Sequence, residues 1–391
     1  MGGAAQTPRV VAIVATLDTK EPEATFLAEA VAARGYEPRL LDVSIRGSRA
    51  SMRRDEAMAA GGAEAARILD GLYRQRALAG VLGIGGNQGT AAAAIAMRDL
   101  PIGVPKVLVS TIVSGNLRPY IGASDIVMIP AVGDLLGGTN RLTRAVLAQA
   151  AAIMAAMIDS RAAGTVSTAT PAVALTALGN VEPAARRIIQ ALGQSGLEVI
   201  PFHASGAGGT AMEALMETGM FAAVADLATH ELLGEVVGDD IYAPVRPGRL
   251  TVAGRLGIPQ VVAPGGLDFL VFGPPDSVPP AYRGRATHRH NPYNTNIRAS
   301  ADELRRAGET MARRLREARG PVAFIDPLEG WSQVGRRGGP LWDASANEAF
   351  RIALREGLRD APVQYIAMEA AINDPPVADQ VVQLLRQWLG R

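Results

Sequence analysis

Residues Gly83–Thr90 read GIGGNQGT, set between the apolar run Leu78–Leu82 and the Ala/Ile/Met block Ala91–Met97. A strand-length apolar run, a glycine-dense turn and a helix-length block are the parts of a βα unit. Glycines in that turn let backbone approach a ligand closely, and the N–H groups of the following helix's first turn suit an anion. A phosphate or carboxylate cradle is the expected use. Plain turn sterics is the alternative, because βα turns are glycine-rich for that reason too.

The same pattern extends in both directions. Val10–Ala15 is expected as a strand, then the loop TLDTKEPE, then a helix Ala24–Ala33 stopped by Gly35, with Asp18 or Thr19 as cap and Pro22 in the first turn. Pro38–Ile45 follows as a strand and Arg46–Asp55 as a basic, solvated segment, then a helix Glu64–Arg76. After the strand Lys106–Ser110, small hydroxyl and glycine residues collect where α/β sheets put ligands, and a helix is expected over Leu135–Met157. Small and polar residues from Gly164 to Pro171 place a domain boundary near 165, giving domains 1–165 and 166–391. Ala172–Leu178, Leu197–Phe202, Phe221–Ala225, Gln260–Ala263, Val322–Ile325 and Val363–Ala367 read as strands alternating with helices. HASGAGGTAMEAL, from His203, echoes the first glycine loop, as two diverged copies of one unit would. The fold class expected is α/β: two doubly wound, Rossmann-like parallel-sheet domains with a cleft between them.

Composition narrows the function. With 39 basic and 38 acidic residues and a formal charge of +1, no basic field is available to draw nucleic acid. With no cysteine there is no disulfide framework, thiol nucleophile or Cys-ligated metal, and the cytoplasm is the expected compartment. No basic and then apolar opening suggests a secretory signal. The Ala-rich run Ala145–Ile158 is too short to span a bilayer, so no membrane partner is expected. Only Lys20 and Lys106 are lysines, and Lys is a compact charge often used on phosphate.

Neither glycine loop is followed by GK[ST], so a Walker-type phosphate loop is not expected. The second loop spells G-x-G-x-x-A at Gly206, Gly208 and Ala211, with Asp226 closing the next strand, which keeps an NAD(P)-dependent oxidoreductase as an alternative. His203 beside that loop and Thr229-His230-Glu231 after a strand suggest acid–base chemistry. Asp268, His290 and Arg298 add a carboxylate and anion-orienting groups. His288-x-His290 lacks a spaced third ligand, so no metal site is assigned.

ATLDTKEPEATFL, GIGGNQGT, KVLVSTIVSGNLRPYIGASDIVMI, FHASGAGGTAMEAL, DLATHELLGEVVG, RHNPYNTNIR and AINDPP together resemble the Tm-1-like ATP-binding family, also called UPF0261, in order over nearly the whole chain. The resemblance implies a dimer whose first domain binds ATP. Asn87 stands where the family pattern has Ser, and His230 where it has Thr. On this basis Gly85, Gly86, Asn87, Gly89 and Thr90 are expected to meet phosphates, with Asp18, Thr19 and Lys20 beside them. Ser110, Thr111, Ser114 and Gly115 would form a second wall, and Asp18 or Asp125 would hold Mg²⁺ through water. A compatible expectation makes the second domain an enzyme for a small anionic metabolite. There His203 and Glu231 would transfer protons, Gly206, Gly208, Gly209 and Thr210 would hold the substrate's anion, and Asp268, His290 and Arg298 would orient it. A non-catalytic regulatory module that binds nucleotide is the remaining alternative.

Overall fold

Parallel strands buried on both faces need continuous apolar runs, and the sequence VVAIVA at Val10–Ala15 is buried at all six positions. In the computed structural model, residues 9–163 and 172–391 are described. The chain divides into two units, Met1–Val166 and Ser167–Arg391. The boundary expected near residue 165 lies outside the described residues.

The first unit runs β1 (Val10–Ala15), α1 (Leu17–Ala32), β2 (Glu37–Asp42), α2 (Arg54–Arg74), β3 (Leu78–Gly85), α3 (Asn87–Met97), β4 (Lys106–Ser110), α4 (Arg118–Ile121), β5 (Val127–Pro130) and α5 (Arg141–Ala163). Its five strands are all parallel, in the order β2-β1-β3-β4-β5. The chain leaves β1 toward β2 and then returns to the other side of β1 as β3. That reversal opens a crevice at the carboxyl ends of β1 and β3, where open α/β sheets take ligands. One apolar layer packs α1 and α5 on the sheet; another packs α2 and α3 on it. Gly62 makes the second layer tight, since a Cβ there would lie 2.8 Å from the Ala92 carbonyl of α3.

The second unit runs β6 (Ala172–Ala177), α6 (Glu182–Gly193), β7 (Val199–His203), α7 (Ala207–Met216), β8 (Phe221–Asp226), α8 (His230–Val237), α9 (Val252–Leu256), β9 (Gln260–Val262), β10 (Phe269–Phe272), β11 (Thr287–Asn291), β12 (Asn294–Arg298), α10 (Ala301–Leu315), β13 (Val322–Pro327), α11 (Ala344–Gly357), β14 (Val363–Met368) and α12 (Pro375–Leu389). Six strands form a parallel sheet in the order β14-β13-β9-β8-β6-β7, with the same reversal between β6 and β8. Both units are therefore Rossmann-like α/β folds. The two glycine loops, however, follow the third strand of the first sheet and the second, edge strand of the other. Their echo is one of turn chemistry and does not mark equivalent positions.

Several elements depart from the sequence expectation. α1 starts seven residues early and kinks at Lys20 (φ −129°), because Pro22 has no N–H to complete the turn below it. The helix expected from Leu135 begins at Arg141. Gly137 and Gly138 have φ of +75° and +98°, and the Asn140 side chain takes the N–H of Leu142 and Thr143. At 23 residues α5 is long and apolar enough by length and composition to cross a membrane, which corrects the shorter run read from sequence. Here its Leu147, Ala150, Ala151 and Met154 lie in the core with β3 and β4. The antiparallel sheet β10-β12-β11 was not expected, since THRHN and NTNIR carry almost no apolar alternation.

Candidate functional site

A cavity of about 600 Å³ opens at the reversal between β1 and β3. Thr16, Asp18, Thr19 and Lys20 enter it from the N-cap and first turn of α1, and Gly86, Asn87, Gln88, Gly89 and Ala92 from the start of α3. Val43, Ile45 and Met52, from the segment after β2, and Arg54 and Met58 of α2 complete the lining. Gly86 is the N-cap of α3 and no side chain caps the helix. Its first-turn N–H groups are therefore left for a guest. Gly85 cannot be replaced cheaply, because a Cβ would lie 2.5 Å from the Gly89 backbone.

The turn carrying Lys20 is fixed from β2. Asp42 Oδ1 accepts the N–H of Leu17 (3.1 Å) and of Ser44 (2.9 Å) and the Ser44 hydroxyl, while the Asp18 N–H donates to Ser44 Oγ at 3.0 Å. Burial alone would raise Asp42, but these donors and Arg46 hold its carboxyl below the usual range. Lys20 lines the cavity, and its ammonium has no ion-pair or hydrogen-bond partner among the described residues. Asn87 Oδ1 accepts the Tyr120 hydroxyl at 3.0 Å.

Other expected residues fall elsewhere. Thr90 and Ser110 are buried and share a 2.7 Å hydroxyl contact beneath the loop, so they brace it and do not line the cavity. Thr111 stands beside Gly86, while Ser114 and Gly115 are exposed and outside the lining. Asp125 precedes β5 and lies at the amino edge of the sheet, 2.5 Å from the buried Lys106 ammonium and accepting the Gly103 N–H. That corrects its expected Mg²⁺ role and removes Lys106 as a phosphate charge. Asp18 remains beside the glycine turn.

The second glycine loop is already filled. Glu231 Oε1 accepts the N–H of Gly206 (2.5 Å) and Gly209 (3.1 Å), and Oε2 accepts Arg249 Nε at 2.6 Å. The anion at the start of α7 is thus the protein's own carboxylate, and Gly206, Gly208, Gly209 and Thr210 do not hold a substrate in this arrangement. Thr210 donates to the Gly206 carbonyl, and a Cβ on Gly208 would lie 2.0 Å from the His203 carbonyl oxygen. Arg249, 1% exposed, also binds Glu213 and both oxygens of Asp226, so the acid required by a dinucleotide reading is occupied too. Burial pushes Glu213 up. His203 is exposed, its ring 6.4 Å from that of Tyr242. With Glu231 locked to Arg249, the expected His203–Glu231 proton-transfer pair is not formed.

His290 and Arg298 occupy opposite ends of the β11–β12 hairpin, His290 exposed near the tip and Arg298 buried at the base. Arg298 joins Asp268 instead: Nη1 donates to the Asp268 carbonyl (2.7 Å) and Nη2 to Asn347 Oδ1 (2.7 Å). Asp268 Oδ2 accepts the Ser332 hydroxyl at 2.6 Å, and burial raises its carboxyl. Asp268 Oδ1, Arg298 Nε and Asn347 Nδ2 are buried without partners. His230, fully buried, places Nδ1 2.6 Å from the Gly266 carbonyl and Nε2 3.0 Å from Asp240, whose oxygen lies off the N–H axis. Among the described residues no three His, Cys, Asp or Glu side chains come together as a metal site.

Arg54, Asp42, Arg249, Asp240 and Ser332 were not picked out from sequence. Only Asp42 had a local signal, an acid closing the strand next to β1.

Two Rossmann-like units, the first with an open crevice at its strand reversal, define the class. Residues 48–163 match the N-terminal domain, and 170–389 the C-terminal domain, of the uncharacterised protein family (UPF0261). A UPF0261 protein of Mesorhizobium japonicum is 35% identical, the match covering 95% of this chain and 98% of that one. One of Clostridium tetani is 33% identical over 94% and 96%. The ToMV resistance protein Tm-1(GCR237) of Solanum lycopersicum is 33% identical over 78% of this chain and 41% of its own length. The chain belongs to the UPF0261 family, with the tomato Tm-1 protein among its relatives.

Proposed function

We propose that the first unit binds ATP, with Mg²⁺, in the crevice between β1 and β3. One observation carries the reading: a single cavity brings the uncapped start of α3, an unpaired Lys20 and an apolar wall of Val43, Ile45, Met52 and Met58 together. The helix start and Lys20 suit phosphate oxygens, the wall suits a purine face, and Asp18 suits a water-held divalent ion. About 600 Å³ is within the range of small-molecule sites. The reading includes a cytoplasmic homodimer, which light scattering on the purified protein tests.

Calorimetry with Mg-ATP on the wild type and on Lys20→Ala tests the site. Loss of a charge-assisted contact should weaken binding by roughly tenfold or more. Equal affinity in both, or no binding by either, sinks the proposal.

A second reading assigns chemistry on a small anionic metabolite to the second unit. It rests on Asp268, Arg298 and Asn347, because their partnerless buried polar atoms gather there. If ATP is only a ligand and the protein a regulatory module, long incubation with ATP and metabolite pools leaves both unchanged.

A further inference from the structure

The basic segment after β2 carries four arginines, and three of them are paired. Arg46 is held by Asp42, Arg49 by Glu64 at 2.6 Å, and Arg53 by Asp55 at 2.9 Å. The Arg54 guanidinium has no ion-pair or hydrogen-bond partner among the described residues, and Arg54 alone of the four lines the cavity. It opens α2, and Met58, one turn on, lines the cavity from the same helix face. Arg54 therefore shares the cavity lining with an apolar residue of its own helix. Lys20 and the start of α3 line the same cavity, so two side-chain cations without counter-charges face it beside the apolar wall.

A single 5′ phosphate on the helix start and Lys20 leaves Arg54 for a second phosphate. In dinucleotide folds the acid closing the second strand accepts ribose hydroxyls, and its charge opposes a phosphate there, whereas an arginine accommodates one. Here Asp42 closes β2, yet Oδ1 takes three donors from Leu17 and Ser44 and Oδ2 faces Arg46. The carboxylate that would repel a ribose phosphate faces these donors and Arg46 and does not line the cavity.

Resting on the nucleotide reading above, we infer that the preferred ligand is an adenine nucleotide carrying a phosphate on the ribose 2′ or 3′ oxygen, and that Arg54 reads this phosphate. Arginine suits the role because its planar fork meets two phosphate oxygens at once.

Calorimetry on the full chain with AMP, adenosine 2′,5′-bisphosphate, adenosine 3′,5′-bisphosphate, ADP and ATP tests it. One bisphosphate should bind wild type at least about tenfold tighter than AMP, the size of a charge-assisted contact. Arg54→Gln should abolish that advantage, lowering bisphosphate affinity at least about tenfold more than AMP affinity, since AMP lacks the phosphate that Arg54 contacts. Arg53→Gln removes the same charge from a residue outside the lining and should retain the preference. Lys20→Ala should weaken AMP and bisphosphate alike. Bisphosphates no better than AMP, or a preference that survives Arg54→Gln, overturn the inference and leave the ATP reading standing. So does a fall in the ATP-to-ADP ratio in Arg54→Gln, which would put Arg54 on the terminal phosphate. Binding of none of the five overturns both readings.

Discussion

The carboxylate of Glu231 occupies the space that a side chain on Gly209 would need: a Cβ there would lie 1.7 Å from Oε2. Gly209 is required by an internal anion, and Glu231 is the counter-charge of a helix start and of Arg249. Glu231→Ala should therefore cost about 3–5 kcal/mol in denaturant unfolding, the range for breaking a buried pair by removing one partner. Because the deletion empties an anion cradle, acetate or formate should recover part of the lost midpoint in the variant and none in the wild type. An unchanged midpoint in Glu231→Ala would remove this structural role.

Stability should fall as the solution is made alkaline, through His230. Burial opposes its charged form, but Asp240 and the Gly266 carbonyl outweigh that and raise the imidazole above its ordinary value. A group whose folded value is raised contributes its full stability below the unfolded value. The contribution is lost as pH climbs through the folded one. The decline therefore starts above about pH 6.5, the unperturbed histidine value. Unfolding free energy from pH 6 to 9 should drop more steeply in wild type than in His230→Gln, which cannot titrate there. Parallel curves would mean that His230 is neutral in the folded protein.

The glycine turn at Gly85–Gly89 was legible because its causes are local: an apolar strand, a turn that excludes Cβ atoms and a small-residue helix. That Lys20 joins it follows from the parallel pairing of β1 with β3, which alternating elements imply. Arg54 and Met58 were not legible, since only the β2-β1-β3 order carries the start of α2 to the same crevice. Glu231 reaches Gly206 across 25 residues, and nothing in HASGAGGT announces that its anion comes from the same chain. Asp125 falls away from the cavity for a reason of chain direction. A residue just before a parallel strand falls at the amino edge of the sheet, away from the ligand edge.

Gly85 and Gly86 should separate sharply under one substitution. A methyl on Gly85 meets Gly89 and Thr90 backbone at 2.5 and 2.6 Å, whereas on Gly86 the nearest atom is Thr111 Oγ1 at 3.7 Å. Gly85→Ala must shift the start of α3 and should destabilise by about 1–3 kcal/mol, as overpacking does. ATP binding should vanish with it. Gly86→Ala should melt within a degree or two of wild type and keep ATP affinity within about threefold, since alanine adopts its φ of −77°. If both lose binding equally at unchanged stability, close approach of the ligand to the backbone, and not the packing of the turn, is what the glycines provide.

Lys106 and Asp125 give the cleanest test of which acid serves the nucleotide. The Lys106 ammonium is fully buried, burial pushes it below the ordinary lysine value, and Asp125 opposes that shift. Asp125→Ala leaves a buried cation without its counter-charge and should cost about 1–3 kcal/mol. The loss should shrink at alkaline pH, because the folded protein then binds fewer protons than the unfolded chain and stability rises with pH. Adding Lys106→Met should recover most of the stability, since an apolar replacement of a buried pair is often neutral. Mg-ATP affinity should stay within about twofold of wild type in both variants, because the pair sits at the amino edge and ligands of open sheets bind at the carboxyl edge. Asp18→Asn, in the cavity lining, should instead lose the Mg²⁺-dependent part of ATP binding at unchanged stability. The opposite pattern, with Asp125→Ala losing Mg²⁺-dependent binding and Asp18→Asn neutral, would move the metal to the other edge of the sheet and take the nucleotide site with it.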